Sequence, residues 1–282
     1  MPEENKINPT PRLALLRAAS LAVSAALLVA ACSSGDMPVV RPDPFAGYEI
    51  VDLSHPFDEQ TVYWPTGRPF RHDRTAWGPQ PGGFWYSAFD LAMSEHTGTH
   101  LDAPVHFAEG GAAVGQLSLA DLSGPVAVVD VSQQCEDDPD YAASVDDLDA
   151  HEDRHGQISE GMIVVFRTGW SRRWPDTLSY LGDDTPGRAD RLRFPGISSE
   201  AAKRLAERGV AVVGIDTASI DPGTSSDFAS HQVLAGDSIP ALENLTQLDL
   251  LPERGAHLLA FPMKIATGSG APCRVAALVP QN

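Results

Sequence analysis

Five short apolar runs punctuate the chain. Residues 48–53 (Tyr-Glu-Ile-Val-Asp-Leu) alternate polar and apolar positions, the period of a half-buried strand. The runs at 125–131, 161–167, 210–215 and 256–261 are almost uniformly apolar, the pattern of strands covered on both faces. Residues 198–209 have a serine to cap a helix, a stretch of strong helix formers and a closing glycine, and they lead straight into the run at 210. Strands with intervening helices predict an α/β or α+β fold with a central mixed sheet. The Gly- and Pro-rich stretches at 64–83 and 182–196 read as long loops, a class that is functional more often than filler. No internal repeat is evident.

Chemistry concentrates in His96-Thr-Gly-Thr-His100-Leu-Asp102-Ala-Pro104-Val-His106, which holds three imidazoles and a carboxylate. Positions 96, 100, 102 and 106 share one parity, so an extended backbone sends all four groups to one face. Gly98, two threonines and Pro104 oppose a continuous helix, and a strand end running into an irregular loop is expected. Neutral imidazole and carboxylate suit Zn²⁺, Mn²⁺ or Fe²⁺, and the absence of cysteine argues against a closed thiolate site. Such groups, forced together, repel or stay unsatisfied unless a cation joins them. A metal-dependent enzyme is the reading that follows.

The ends alter the picture of where this chemistry happens. Lys6, Arg12 and Arg17 precede an apolar run that ends in Val29-Ala30-Ala31-Cys32, a secretory signal with a lipobox-like close. Residues 1–31 are expected to be removed and Cys32 lipidated, with 32–46 as a flexible tether and 47–282 as a single folded domain. The protein is then an exported, membrane-anchored lipoprotein, touching the membrane only through Cys32. The formal charge of −18, more negative by one after loss of the signal, makes nucleic acid an improbable partner. An oxidising compartment permits Cys135 and Cys273 to pair, though one pair of cysteines has no spacing signature.

Three further features compete for attention. Tyr63, Trp64, Trp77, Phe84, Trp85 and Tyr86 crowd the stretch before the metal motif and offer a bed for an aromatic substrate, or a core or subunit contact. His231 and Glu243 lie twelve residues apart, and Glu243, three residues past Pro240, falls in the expected first turn of a helix. His151-Glu-Asp-Arg-His155 matches the zincin spacing, but its segment is acidic almost all round and ends at Gly156, so the match reads as coincidence.

With His96, His100, Asp102, Pro104 and His106 in place, the chain resembles the cyclase family of metal hydrolases that includes bacterial kynurenine formamidase and isatin hydrolase. The likeness extends through Asp52-Leu-Ser-His55, Arg167-Thr-Gly-Trp170, Gly214-Ile-Asp-Thr217, Ser219, Asp221, His231, Ile239-Pro240, Glu243-Asn244-Leu245, Gly270-Ala-Pro272 and Arg274. It implies a swivelling β/β/α-type domain, assembled as a homodimer or larger homo-oligomer. It also implies that His96, His100 and Asp102 hold a first divalent metal, Zn²⁺ or Mn²⁺. In two-metal members Asp102 bridges to a second ion held by His231 and Glu243, and His106 looks like the catalytic histidine. Residues 133–158 and 171–195 carry no family landmarks, and the export signal departs from the cytoplasmic address of family enzymes of tryptophan breakdown.

The implied reaction is hydrolysis of an amide or formamide C–N bond in a small molecule, for which the aromatic stretch allows an aromatic one, with His106 carrying the proton from the attacking water to the leaving amine. The alternatives from other classes are a metal- or solute-binding lipoprotein without catalysis, and a lyase or cyclase using the same metal and base.

Overall fold

The computed structural model describes residues 45–281. The export signal, Cys32 and most of the expected tether lie outside the described residues. Among the described residues the strands are β1 (Tyr48–Asp52), β2 (Arg71–Pro79), β3 (Trp85–Ala92), β4 (His100–Asp102), β5 (Ser123–Asp130), β6 (Ala142–Ala143), β7 (Ile163–Arg167), β8 (Gly196–Ile197), β9 (Val212–Ile215), β10 (Ala241–Glu243), β11 (His257–Pro262) and β12 (Gly270–Pro280). The helices are α1 (Ser132–Asp137), α2 (Val145–His155), α3 (Thr177–Leu181), α4 (Ser199–Arg208) and α5 (Ala229–Gly236). None of them is long and apolar enough to cross a membrane.

The five apolar runs are β1, β5, β7, β9 and β11, and the helix expected at 198–209 is α4. Ser198 caps α4 by accepting from the amide of Ala201, and Gly209, in the left-handed region, stops it. Eight strands form one mixed sheet in the order β1-β12-β11-β5-β7-β9-β10-β4, and β12 also pairs with β4, so the sheet closes on itself. The parallel neighbours β5–β7, β7–β9 and β9–β10 require crossovers, which α2, α4 and α5 supply in turn. This is the mixed α/β architecture expected from the sequence.

Alternation along the strands gives the sheet two apolar faces. Val126, Val128, Ile163, Val165, Val212, Leu258 and Val275 belong to one cluster, enclosed by the closing sheet. Ala127, Val129, Val164, Phe166, Val213 and Ile215 face the other way and pack against Leu148 of α2, Ala201 and Leu205 of α4 and Leu234 of α5. Burial on both faces is why these strands read as unbroken apolar runs. Cys135 belongs to one cluster and Cys273 to the other, and both are buried free thiols, so no disulfide joins them.

Three expectations change. The stretch 64–83, expected to be a loop, contains β2, which pairs with β3 in a separate two-stranded ribbon. Most of β2 is solvent-exposed, so no burial periodicity marks it as a strand. Glu243 sits on a strand rather than in a helical turn, because Leu242 and Ala241 enter the two apolar clusters from opposite sides of β10. His106 lies in a 3₁₀ turn, Pro104–His106, just beyond β4, and His96 in a bend before it, so only His100 and Asp102 keep the extended register expected for all four.

Two buried histidines tie stability to pH. His55 stacks on Trp174 with ring centroids 4.1 Å apart, and burial lowers its pKa to about 4. Burial, aided by Arg254, also lowers His151 to about 4. Both are neutral in the folded chain and regain a pKa of about 6.5 on unfolding. The stability they hold is therefore complete above pH about 6.5 and is lost as the pH falls toward 4, up to roughly 3 kcal/mol for His55 and less for the partly screened His151. Urea denaturation is expected to show stability dropping between pH 7 and 4.5, with the slope flattened in His55→Gln and His151→Gln. An unchanged slope in both variants would contradict this.

Candidate metal centre

The sheet closes at β4, and the site lies along that seam. Antiparallel pairing sets Glu243 of β10 opposite His100, and Gly270 of β12 opposite Asp102. The 3₁₀ turn after β4 brings back His106, and α5 delivers His231 from the other side. Asp102 stands at the centre. Its Oδ1 lies 2.6 Å from His96 Nδ1 and 3.2 Å from His100 Nε2, and its Oδ2 lies 3.3 Å from His231 Nε2 and 3.9 Å from His106 Nε2. Glu243 completes the group, with Oε2 at 3.3 Å from His100 Nε2 and Oε1 at 3.0 Å from His231 Nε2. All six residues singled out in the sequence thus converge on one place.

The hydrogen-bond partners fix which nitrogens face inward. His100 Nδ1 lies 2.8 Å from the carbonyl of Gly98 and so donates to it, which turns Nε2 toward the two carboxylates as a lone pair. That Nε2 is buried and makes no hydrogen bond of acceptable geometry, despite carboxylate oxygens at 3.2 and 3.3 Å. His231 repeats the arrangement: Nδ1 donates to Asp221 Oδ2 at 2.6 Å and Nε2 faces Asp102 and Glu243. Lone pairs aimed at carboxylates repel unless something positive lies between them. Among the described residues, the lining of the cavity contains no lysine or arginine to supply that charge.

Protons are one answer. Burial opposes charge on His100, yet the carboxylates of Asp102 and Glu243, 3.2 and 3.3 Å from its Nε2, outweigh it and push its pKa up to about 10. Burial likewise works against charge on Asp102, while His96, His100 and His231 hold its pKa well below the usual carboxylate range. A divalent cation is the other answer, and this donor set fits one: neutral imidazoles with fixed tautomers and acceptor-only carboxylates, converging without a competing cation. Two overlapping sets of ligand atoms lie within 4.8 Å of one another, His100–Asp102–Glu243 and His96–Asp102–His106. His106 is the outlier, with its side chain 32% exposed at the rim. Partial burial lowers its pKa below the usual value, the neighbouring Asp102 notwithstanding, so at neutral pH it can accept a proton.

Sequence reasoning missed the groups that hold the ligands. Asp221, Asn244 and Gly270 came forward only as landmarks, and Glu95 and Ser269 not at all. The Oδ1 and Oδ2 of Asp221 accept from the amides of Ser230 and His231 as well as from the His231 ring, which locks helix α5 and the imidazole together. His96 Nε2 meets Ser269 Oγ at 3.0 Å, and Glu95 in turn accepts from the Ser269 hydroxyl and amide. Gly270 leaves room for that ring: a Cβ there would lie 2.8 Å from His96 Nδ1 and closer still to Cε1. Asn244, at φ 54, donates to the Gly98 carbonyl and accepts from the Tyr180 hydroxyl. Since an outer partner of a metal-ligating histidine is typically worth 10- to 100-fold in affinity, Asp221→Asn is expected to weaken metal binding by about that factor. Titration with Zn²⁺ or Mn²⁺ checks it, and unchanged affinity would remove Asp221 from this role.

The centre opens into a cavity of about 310 Å³. Val62, Trp64, Phe107 and Phe228 give it apolar walls, and Ser94, Ser219 and Asn244 give it polar ones. Phe107 lies 4.5 Å from the His231 ring and 5.5 Å from Phe228, centroid to centroid. Phe228 holds φ 54, a left-handed conformation that costs a non-glycine residue free energy and that tends to occur at functional sites. Of the aromatic residues before the motif, Tyr63 and Trp64 line this cavity. Trp77, Phe84, Trp85 and Tyr86 do not; they are at least half exposed, on or beside the β2–β3 ribbon.

The zincin-like pair lies elsewhere. His151 and His155 are on α2, but Glu152 turns to Arg208, accepted at 2.8 Å, and Glu253 joins the two histidines instead. Arg254 Nε donates to His151 Nε2 at 3.3 Å, so that lone pair already has a partner. His55, another landmark of the sequence, packs on Trp174 and does not line the cavity.

The chain is similar to a set of known proteins. The Cyclase family model matches residues 51–222. An isatin hydrolase of Roseibium aggregatum is 35% identical over 199 residues, covering 68% of this chain and 74% of that protein. A kynurenine formamidase of Paracidovorax citrulli is 31% identical over 245 residues, covering 81% of this chain and 96% of that protein. Among solved structures, isatin hydrolase A from Ralstonia solanacearum superposes with a TM-score of 0.75 at 34% identity, covering 83% of this chain and 93% of that one. An isatin hydrolase bound to the product analogue thioisatinate gives 0.76 at 30% identity, covering 84% and 94%. The chain belongs to the Cyclase family.

Proposed function

We propose that the protein hydrolyses an amide or formamide C–N bond of a small aromatic substrate with the help of a bound divalent metal. The observation that carries this is the pair of buried imidazole Nε2 atoms, on His100 and His231, aimed at two carboxylates beside a cavity with aromatic walls. Relatives named isatin hydrolase and kynurenine formamidase support the same chemistry. His96, His100 and Asp102 would hold a first ion, Zn²⁺ or Mn²⁺; His231 and Glu243 would hold a second, with Asp102 shared between them.

When bound, such an ion supplies Lewis acidity toward a carbonyl and acidifies water. The remaining work falls to the chain. Trp64, Phe107 and Phe228 seat the aromatic part of the substrate and exclude solvent from one side. His106, neutral at the rim, takes the proton of the attacking water and returns it to the amine nitrogen, without which that nitrogen would leave as a poor, anionic group. A panel of N-formyl arylamines and cyclic amides, assayed with Zn²⁺ and with Mn²⁺ in H₂¹⁸O, tests the reading. One ¹⁸O in the released acid is expected. Turnover without solvent oxygen would instead mark a lyase or cyclase, and no turnover with either metal would refute the proposal.

The wider setting is part of the same reading. The lipobox-like Val29–Cys32 supports an exported lipoprotein anchored at Cys32, and a mature chain that still begins at Met1 by mass spectrometry would defeat it. The β2–β3 ribbon supports a homo-oligomer: a two-stranded ribbon is marginal alone in water, and this one exposes Trp77, Trp85, Tyr86 and Leu91. Light scattering that finds only monomer would remove it.

A further inference from the structure

His100 and His231 each turn one ring nitrogen inward because the other is bound to a pure acceptor, the Gly98 carbonyl or the Asp221 carboxylate. His96 has a different kind of partner: its Nε2 meets the hydroxyl of Ser269 at 3.0 Å. A hydroxyl both donates and accepts, so Ser269 by itself leaves the tautomer of His96 open. That choice matters. With the proton on Nε2, Nδ1 faces Asp102 Oδ1, 2.6 Å away, as a lone pair fit for a metal. With the proton on Nδ1, the ring donates to Asp102 and that nitrogen is lost as a ligand.

Glu95 removes the choice. Its Oε2 lies 2.8 Å from Ser269 Oγ, 2.9 Å from the Ser269 amide nitrogen and 3.3 Å from the Gly270 amide nitrogen. A carboxylate offers only lone pairs and is a stronger acceptor than a neutral imidazole, so the single hydroxyl proton of Ser269 goes to Glu95. The serine oxygen then has only lone pairs left for His96. Nε2 must donate to it, and Nδ1 is the nitrogen left for the centre.

The backbone holds these groups in place. Glu95 directly precedes the imidazole it governs, while Ser269 comes from 174 residues farther along the chain. The Ser269 carbonyl accepts from the Ala103 amide at 2.8 Å, and Gly270 pairs with Asp102 across β12 and β4. Ser269 is thus tied through its amide, its carbonyl and its neighbour, and only its hydroxyl proton has a direction to select. His106 stacks on the His96 ring, centroids 4.0 Å apart and planes inclined by 21°, so the setting of His96 also bears on the proton carrier.

We propose that Glu95 and Ser269 are positioning residues: the carboxylate, acting through the serine hydroxyl, keeps a proton on His96 Nε2 and reserves Nδ1 for the metal. This rests on the metal-dependent reading above and deepens it by naming the ligand atom of His96 and the pair that selects it. His96 then differs from His100 and His231, which present Nε2.

The test is long-range ¹H–¹⁵N correlation NMR of the full chain labelled at histidine, with and without Zn²⁺, the His96 signals being identified by their loss in His96→Gln. In the wild type, Nε2 of His96 is expected to stay protonated in both states, and Zn²⁺ to shift Nδ1. Glu95→Ala frees the Ser269 proton to turn to His96, so Nε2 should lose its own in the metal-free chain. Glu95→Gln, which keeps an oxygen acceptor, should restore the wild-type tautomer, a rescue that a merely structural role does not require. Ser269→Ala leaves Glu95 on the two amides and carries the test where Glu95→Ala fails to fold; its Zn²⁺ affinity, by competition with a chromogenic chelator, should fall about 10- to 100-fold. Zn²⁺ shifting Nε2 of His96 in place of Nδ1, an Nε2 proton kept in folded Glu95→Ala, or unchanged affinity in Ser269→Ala would overturn the inference. If Zn²⁺ moves no histidine signal at all, the metal-dependent reading falls instead, and the metal-free spectra of wild type and Glu95→Ala still decide the relay.

Discussion

Asp102→Asn is expected to strip the protein of its metal and of its reaction together. The substitution keeps shape and removes charge. In the wild-type chain this carboxylate is buried and is the shared neighbour of His96, His100, His231 and His106. It is also the residue common to both sets of ligand atoms in the centre. With asparagine there, Glu243 is, among the described residues, the only carboxylate left facing the inward nitrogens. The loss in metal affinity should therefore exceed the 10- to 100-fold typical of removing an outer partner, and turnover should fall with it. Metal analysis after dialysis, alongside far-UV circular dichroism to confirm folding, checks the result. A folded Asp102→Asn protein with full metal content would show that the ion is held elsewhere.

The second large effect separates ligation from proton transfer. His106→Ala is expected to keep its metal and lose about 10²- to 10⁴-fold in kcat, the usual worth of general acid–base catalysis. The basis is geometric: His106 Nε2 stands 3.9 Å from Asp102 Oδ2, beyond hydrogen-bond reach, on a 3₁₀ turn at the rim of the cavity, while the other imidazoles are anchored through their second nitrogen or by a carboxylate. Metal content and single-turnover kinetics on one preparation give both answers. Near-normal turnover would end the catalytic assignment, and loss of metal would make His106 a ligand, as its proximity to His96 and Asp102 also permits.

The legible parts of this protein were those whose signals are local. The unbroken apolar runs of β5, β7 and β9 could be read because both faces of those strands are buried, and α4 because its cap and stop lie within its own twelve residues. The metal motif could be read for the same reason: His100 and Asp102 share a strand, and His96 and His106 flank it. Glu243 and His231 could not be placed from spacing alone. They reach the centre through the β10–β4 pairing and helix α5, contacts that join residues more than a hundred positions apart. Resemblance, not periodicity, brought them forward. Ser269 and Gly270 were out of reach altogether as supports of His96, since β12 closes the sheet against β4 across some 170 residues. The β2 strand was lost for another reason: exposed on both faces, it has no pattern to show.

The account depends on a divalent ion lying between the inward nitrogens of His100 and His231 and the carboxylates of Asp102 and Glu243. The most direct test is an anomalous-diffraction map of crystals grown with Zn²⁺ or Mn²⁺, recorded at the metal's absorption edge. The account predicts a peak within bonding distance of His100 Nε2 and Asp102. A map without a peak there, from protein that hydrolyses its amide at full rate, would contradict it.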